Sequence, residues 1–195
     1  MLKLVVFLGN PGNKYAYNRH NAAWMLADTL PFSFNWKKKF NALHSFTDEL
    51  HFLKPQTYMN RSGEPALAAA SFFKIKPDEI IVVHDEIELP FGTISLKFSG
   101  GLGGHNGLRS MKTRFASADF WRLRLGIGRP DGRTPGKGGS LEGEGIADWV
   151  LSDFNPEEEE AFEAVLTVGA DLLVQALKAE PETLLPEWGK KAVCP

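Results

Sequence analysis

Five side chains of this 195-residue chain combine in a way that points to acid–base chemistry: Asn10, His20, Asn60, Asp85 and Asn106. A histidine with a carboxylate partner is the usual way to hold a neutral base near pH 7 in one tautomer. Carboxamides offer donors and an acceptor together, which suits them to gripping an amide or stabilising a developing oxyanion. Asn106 follows the glycine run Gly100-Gly101-Leu102-Gly103-Gly104, which would let backbone N–H groups approach a ligand where a helix begins. Other chemistries lack their residues. There is no Gly-x-Ser-x-Gly elbow, no Walker-type Gly-Lys-Ser/Thr, and the single cysteine, Cys194, is not a plausible nucleophile. His44, His51, His84 and His105 are not spaced as metal ligands, and no metal is expected. His44 and His51 read as structural or solvated, and His84 faces away from Asp85 if its strand continues. Taken alone, Gly9-Asn10-Pro11-Gly12 also reads as a tight turn followed by a helix-capping Asn–His pair.

The elements that must position these groups follow from the apolar pattern. Leu4-Val5-Val6-Phe7-Leu8 reads as a buried strand ending in the Gly/Asn/Pro turn, with a helix after His20 through Trp24, Met25, Ala27 and Leu30. Residues 33–53 predict two strands around Thr47-Asp48-Glu49, with Phe34, Trp36, Phe40, Phe46, Phe52 and Leu53 as sheet material and Lys37-Lys38-Lys39 as a solvated edge. A loop at 57–63 enters a helix whose apolar face is Leu67, Ala70 and Phe73, with Ala66 beside it. Ile80-Ile81-Val82-Val83 reads as a central strand running into His84-Asp85-Glu86. Thr93–Phe98 is another strand, and Leu108, Met111 and Phe115 mark a helix after the glycine run. Phe120–Gly128 alternates as a half-buried strand with Arg122 and Arg124 outward. Residues 129–145, rich in Gly, Pro and charge, predict a mobile loop. Asn155-Pro156 before Glu157–Glu160 is a strong helix start. Strands alternating with helices, plus an early hairpin, make this an α/β chain with a twisted mixed β-sheet flanked by helices.

Hydrophobic residues at 43% and charged residues at 24% suit one soluble domain over 1–195. No apolar run approaches the ~18 residues of a membrane span, Met1 leads straight into the first strand with no leader to explain, and one cysteine fits a reducing compartment. The charge is unevenly laid out. Residues 97–137 hold nine Lys/Arg against Asp119 and Asp131, whereas residues 138–195 hold thirteen acids against three lysines. The basic middle suggests a face for a polyanion, or else two solvated surfaces of opposite sign.

Four motifs in order, Gly9-Asn10-Pro11-Gly12 with Tyr15 and Arg19-His20-Asn21, Tyr58-Met59-Asn60 with Ser62-Gly63, His84-Asp85-Glu86 with Leu89-Pro90 and Gly92, and Gly103-Gly104-His105-Asn106-Gly107-Leu108, resemble bacterial peptidyl-tRNA hydrolases. The likeness extends through Arg122-Leu123-Arg124 and Gly126-Ile127-Gly128 to Val150-Leu151 and Phe154. It implies a single α/β domain that hydrolyses the ester between a peptide and the 3′-terminal ribose of tRNA. His20 would be the general base, Asp85 would orient it, and Asn10, Asn60 and Asn106 would share the binding of peptide and terminal adenosine with oxyanion stabilisation. Tyr15 and Met59 would line the pocket, and Lys97, Arg109 and Arg124 would meet tRNA phosphates. The family also implies a lid over the peptide channel, here around 129–155. An activated ester needs only a positioned water and a base, so no cofactor is expected. The expected partner is peptidyl-tRNA, with no membrane and no obligate protein partner, for a cytoplasmic monomer.

Three features depart from the family pattern. Leu102 stands where many relatives have a polar residue, Ser95 where some have a lysine that could reach a phosphate, and 131–145 is lengthened. Rejection of unblocked aminoacyl-tRNA would follow if a free ammonium had to be desolvated in the asparagine-rich site without a counter-charge. Two other readings remain from sequence: an RNA-binding protein of this fold without catalysis, and a nucleotide-binding enzyme. The second lacks Gly-x-Gly-x-x-Gly at its first strand–helix turn.

Overall fold

A run of β-branched and aromatic residues with no polar alternation can only be buried on both faces, and two such runs form the centre of the sheet. β1 (Leu4–Phe7) lies between β4 (Leu50–Pro55) and β5 (Ile80–Glu86), parallel to both, and every residue of β1 and β5 is buried. In this computed structural model, which describes residues 1–130 and 143–194, eight strands form one sheet of order β2-β3-β4-β1-β5-β7-β6-β8. β2 (Lys37–Lys39) and β3 (Ala42–Thr47) add antiparallel at one side. At the other side, β7 (Trp121–Gly126) runs parallel to β5, and β6 (Thr93–Phe98) and β8 (Lys191–Ala192) complete the sheet antiparallel. The mixed sheet is as expected.

Alternate residues of the central strands feed two cores. Leu4, Val6, Ile80 and Val82 meet α2 (Gly63–Phe73) and α3 (Asn106–Phe115) through Ala66, Ala69, Ala70, Leu108 and Met111. Val5, Phe7, Ile81 and Val83 meet α1 (Ala22–Thr29) and α5 (Pro156–Lys178) through Ala22, Leu26, Phe162 and Val165. α5 starts as its sequence dictates: Asn155 accepts from the Glu158 N–H at 2.9 Å, Pro156 opens the first turn, and Glu158 reaches back to the Asn155 N–H. α4 (Gly143–Val150) and the short α6 (Leu185–Trp188) complete the helices among the described residues, none of which is long and apolar enough to cross a membrane.

Several expectations are corrected. Residues 33–53 contribute two strands and the start of β4, not two strands in all. Phe40-Asn41 and Asp48-Glu49 both take positive φ, making two tight hairpin turns where one was read. Phe34 and Trp36 precede β2 and pack as rings against the core. Lys37–Lys39 do form an exposed sheet edge. The buried face of α2 is Gly63, Pro65, Ala66, Ala69 and Ala70, which includes the expected Ala66 and Ala70; Phe73 is partly buried against this core and Leu67 only half-buried. β7 is buried on both faces: the loop after β6 folds over it, and the fully buried Arg122 guanidinium donates to the carbonyls of Ser99 and Gly101. Ser95 is buried under α6, its hydroxyl donating to the Gly189 carbonyl at 2.5 Å, so that position faces no phosphate. The expected loop ends by Gly143, where α4 begins; its stretch 131–142 lies outside the described residues.

Candidate active site

Ligands of open α/β sheets gather beyond the carboxyl ends of the parallel strands, and β1, β4 and β5 deliver the predicted residues there. After β1 the chain must pass close to α1. A Cβ on Gly9 would sit 2.6 Å from the Trp24 indole, whose N–H donates to the Phe7 carbonyl. Asn10 is then fixed three times. Its backbone N–H donates to Asn21 Oδ1 at 2.8 Å, its carbonyl accepts from Asn21 Nδ2 at 3.0 Å, and its Oδ1 accepts from the Met59 N–H at 2.7 Å. With one lone pair of that oxygen engaged, the Asn10 NH₂ is the group of its carboxamide left without a partner among the described residues.

His20 sits in the 3-10 turn Arg19–Asn21 that leads into α1, and it is 7% exposed. Its Nδ1 lies 2.9 Å from both carboxylate oxygens of Asp85, near the end of β5. Asp85 also accepts from His105 Nε2 at 2.9 Å. His105 caps α3: its Nδ1 accepts from the N–H groups of Gly107 and Leu108 at 3.1 and 3.4 Å. These bonds settle the tautomers. With Nδ1 of His105 accepting, its proton is on Nε2 and points to Asp85; His20 gives Nδ1–H to Asp85, so that in the neutral ring the lone pair is on Nε2. Burial pushes the Asp85 carboxyl up, but the imidazoles of His20 and His105 more than offset this and hold it well below the usual carboxylate range. His84, on the opposite side of β5 as expected, packs edge-on against the His105 ring and donates from Nδ1 to the Asp85 carbonyl. Complete burial, with His105 beside it, keeps His84 neutral.

His20, Asp85 and His105 are also the one group among the described residues whose ligand atoms lie close enough to hold a metal, within 4.8 Å of one another. Ligation through Nε2 of His105 would require loss of its proton or of the helix cap, so the bonding present suits proton transfer rather than a metal centre.

A cavity of about 290 Å³ opens over the dyad, lined by His20, Asp85, His105 and Asn106, by Gly103 and Gly104, by Glu86 and Ile87, and by Ile146, Ala147 and Val150 of α4. Asn106 is shared with a groove of about 320 Å³ that also holds Asn60 and Arg109. Met59 is buried beside Gly107, where a Cβ would meet its sulfur at 2.6 Å; it supports the site from below instead of facing it. Tyr15 lies on the turn Asn13–Tyr15, half-buried with Lys14 over its ring, and lines neither space. Lys97 and Arg124 stand with Arg122 on β6 and β7. Burial lowers the Lys97 ammonium pKa, as do Arg124 and Arg122, so an anion there would relieve cation repulsion. Arg124 approaches Glu86 at 4.0 Å, tying this basic group to the cavity wall.

Sequence reasoning missed three participants. His105 stood in a quoted motif without a role, although its place before a helix start is a capping signal. Asn21 and Glu86 adjoin predicted residues and were read as context. Glu86 is a counter-charge in the cavity wall that the expected rejection of ammonium groups omitted, though Arg124 and the Glu88 N–H engage it. The glycine run also serves differently. Gly103 and Gly104, at φ 58° and 76°, turn the chain so that His105 caps α3, and the helix-start N–H groups of Gly107 and Leu108 are taken by its imidazole.

A buried imidazole held by a carboxylate, with the Asn106 carboxamide on the wall of the cavity above it, is an arrangement that could move a proton to or from water. The comparisons with known proteins agree. The family model for peptidyl-tRNA hydrolase matches residues 4–193. The peptidyl-tRNA hydrolase of Treponema pallidum (strain Nichols) is 46% identical over 202 residues, covering 97% of this chain and 96% of that protein. The crystal structure of the Acinetobacter baumannii peptidyl-tRNA hydrolase superposes with TM-score 0.77 at 33% identity, covering 96% of each chain. A peptidyl-tRNA hydrolase in complex with N-propanol gives TM-score 0.75 at 32% identity, again over 96% of each. The chain belongs to the peptidyl-tRNA hydrolase family, hydrolases that release tRNA from peptidyl-tRNA.

Proposed function

We propose that His20 is the general base of this reaction, that Asp85 fixes its tautomer, and that Asn10 supplies the oxyanion donor. Water bound at His20 Nε2 loses a proton to it while attacking the ester carbonyl. The carbonyl oxygen gathers charge against the Asn10 NH₂, and Asp85 steadies the imidazolium. Collapse breaks the acyl–oxygen bond, and the imidazolium returns its proton to the departing ribose oxygen, leaving free tRNA and a peptide carboxylic acid that loses its proton to solvent. Asn106 and Asn60, on the groove beside the cavity, hold the peptide amides and the terminal adenosine. Arg109 continues that groove, and Lys97 and Arg124 take phosphates of the acceptor end. Membership of a family that acts on peptidyl-tRNA supports a cytoplasmic enzyme of translation.

The observation that carries this reading is the Asp85 carboxylate, which holds His20 by Nδ1 and leaves Nε2 as the ring nitrogen that can take a proton. The test is release of N-acetyl-amino acid from N-acetyl-aminoacyl-tRNA in EDTA, beside unblocked aminoacyl-tRNA and the His20→Ala variant. Selective hydrolysis of the blocked substrate, lowered roughly 10²–10⁴-fold in the variant, is expected. Near-normal turnover by His20→Ala would remove His20 from the mechanism. Salt-sensitive tRNA binding without hydrolysis would favour the non-catalytic RNA-binding reading.

A further inference from the structure

We infer that Arg19 is a positioning residue that clamps the α4 wall of the cavity to the turn carrying His20. The inference rests on the cavity over His20 being the substrate site. Arg19 directly precedes His20 and is only 4% exposed. Its Nη1 donates to Ser152 Oγ and to the Asp153 carbonyl, each at 2.6 Å, and its Nη2 meets Glu158 Oε2 at 2.5 Å. The guanidinium lies over the Trp149 ring, 3.7 Å from its centroid, with Phe154 at 5.1 Å. All five partners fall between residues 149 and 158, the end of α4 and the start of α5. The backbone joins in the same place. The Arg19 N–H donates to the Ser152 carbonyl at 3.0 Å, and Asn18 Nδ2 donates to Asp153 Oδ1 at 2.6 Å.

The wall these contacts hold is the one facing the glycine loop. Ile146, Ala147 and Val150 form it, within about one turn of the clamped end of α4. Trp149 adds a bond from its indole N–H to the Gly128 carbonyl, so the clamp also reaches the end of the β7 segment. Burying a guanidinium is costly, and burial lowers the Arg19 pKa against the pull of Glu158 and Asp153. A buried ion pair is therefore weak evidence for stability. Its geometry is the informative part. A planar fork with a ring against its face fixes distance and angle together. Because Arg19 and His20 are consecutive, the wall and the base then hold one spacing, and the substrate ester must fit between them.

The test compares wild type with Arg19→Gln and Glu158→Gln, by hydrogen exchange and by kinetics on N-acetyl-aminoacyl-tRNA. Glu158→Gln keeps the ring stack and the helix cap, so it remains informative if Arg19→Gln does not fold. Arg19→Gln is expected to speed exchange of amides 145–153 by roughly tenfold or more, the size of losing a charged hydrogen bond, and to leave β1 and β5 unchanged. It should raise KM by a similar factor while leaving the shape of the kcat pH profile unaltered. Glu158→Gln should move the same segment less. Uniform loosening that includes β1 and β5, or unchanged exchange and KM in both variants, would overturn the clamp. Exchange needs no turnover, so failure of the hydrolase reading would appear separately, as inactive wild type with the clamp result intact.

Discussion

Replacing Asp85 by Asn tests the site at its most constrained point. In the native arrangement two N–H donors, Nδ1 of His20 and Nε2 of His105, converge on one carboxylate. His105 cannot change its tautomer without losing the Gly107 and Leu108 N–H groups that its Nδ1 accepts. The Asn oxygen must therefore turn to His105, which leaves the Asn NH₂ at the other carboxylate position; His20 Nδ1 lies 2.9 Å from both positions. Its proton then shares one neutral oxygen with His105 and faces a donor beside it, which favours its move to Nε2, where it occupies the lone pair that should receive a proton from water. Losing a charged hydrogen bond costs about 1.5–3 kcal/mol, and donor–donor opposition adds to it. At about 1.4 kcal/mol per tenfold, the lost bond alone lowers the base-competent form by about one to two decades, and the facing NH₂ adds to this, which reaches the roughly 10²–10⁴-fold span of general-base catalysis.

The assay is initial-rate release of N-acetyl-amino acid at pH 7–8, with circular dichroism confirming the fold. The kcat should fall by roughly that span with KM little changed, since both Asp85 carboxylate oxygens are taken up by His20 and His105. Acidification will not imitate the substitution, because Asp85 stays ionised far below the assay range: burial raises its pKa, but His20 and His105 lower it further. A kcat within tenfold of wild type would refute the view that Asp85 sets the tautomer of His20.

Two predictions concern the scaffold. Burial, with His44 and Lys39 nearby, pushes the His51 imidazole from 6.5 down to about 4. Between those values the unfolded chain binds the extra proton, so this group's contribution is full above pH 6.5 and is lost as pH falls toward 4. The His51→Phe variant should show a flatter Tm-against-pH curve over that window; superimposable curves would refute the assignment. Gly63→Ala would place a Cβ 2.3 Å from the Ser110 carbonyl oxygen, forcing α2 and α3 apart. Overpacking of this kind costs about 1–3 kcal/mol, so a Tm lower by roughly 2–12 °C is expected, and an unchanged Tm would show that the helices can yield.

The sequence made much of this legible because local chemistry and tertiary packing agree. The runs of β1 and β5 have no polar position to expose, and Asn155-Pro156 with Glu158 can hardly begin anything but a helix. Arg122 was misread for a clear reason. Alternation shows which residues share a face, not whether a later loop covers it, and here the carbonyls of Ser99 and Gly101 turn inward to receive the guanidinium. α4 carries Ile146, Trp149 and Val150 at helical spacing, but the glycines before it masked the pattern. The pairing of His20 with Asp85, 65 positions apart, depends on β1 lying beside β5. No local pattern encodes that adjacency; only resemblance suggested it.

The glycine run carries the deepest of these lessons. Read alone, glycines before a helix suggest an anion cradle, since helix-start N–H groups are free donors. Here His105 takes two of them. That capping bond leaves His105 one way to hold its proton, and the proton fixes one carboxylate oxygen of Asp85; the carboxylate, in turn, fixes His20. The positive φ angles of Gly103 and Gly104 thus lie at the start of a chain of hydrogen bonds ending at the His20 lone pair. With those donors taken, the proposed phosphate contacts fall to Lys97 and Arg124, where burial and the neighbouring Arg124 and Arg122 lower the Lys97 pKa and an anion would relieve the repulsion.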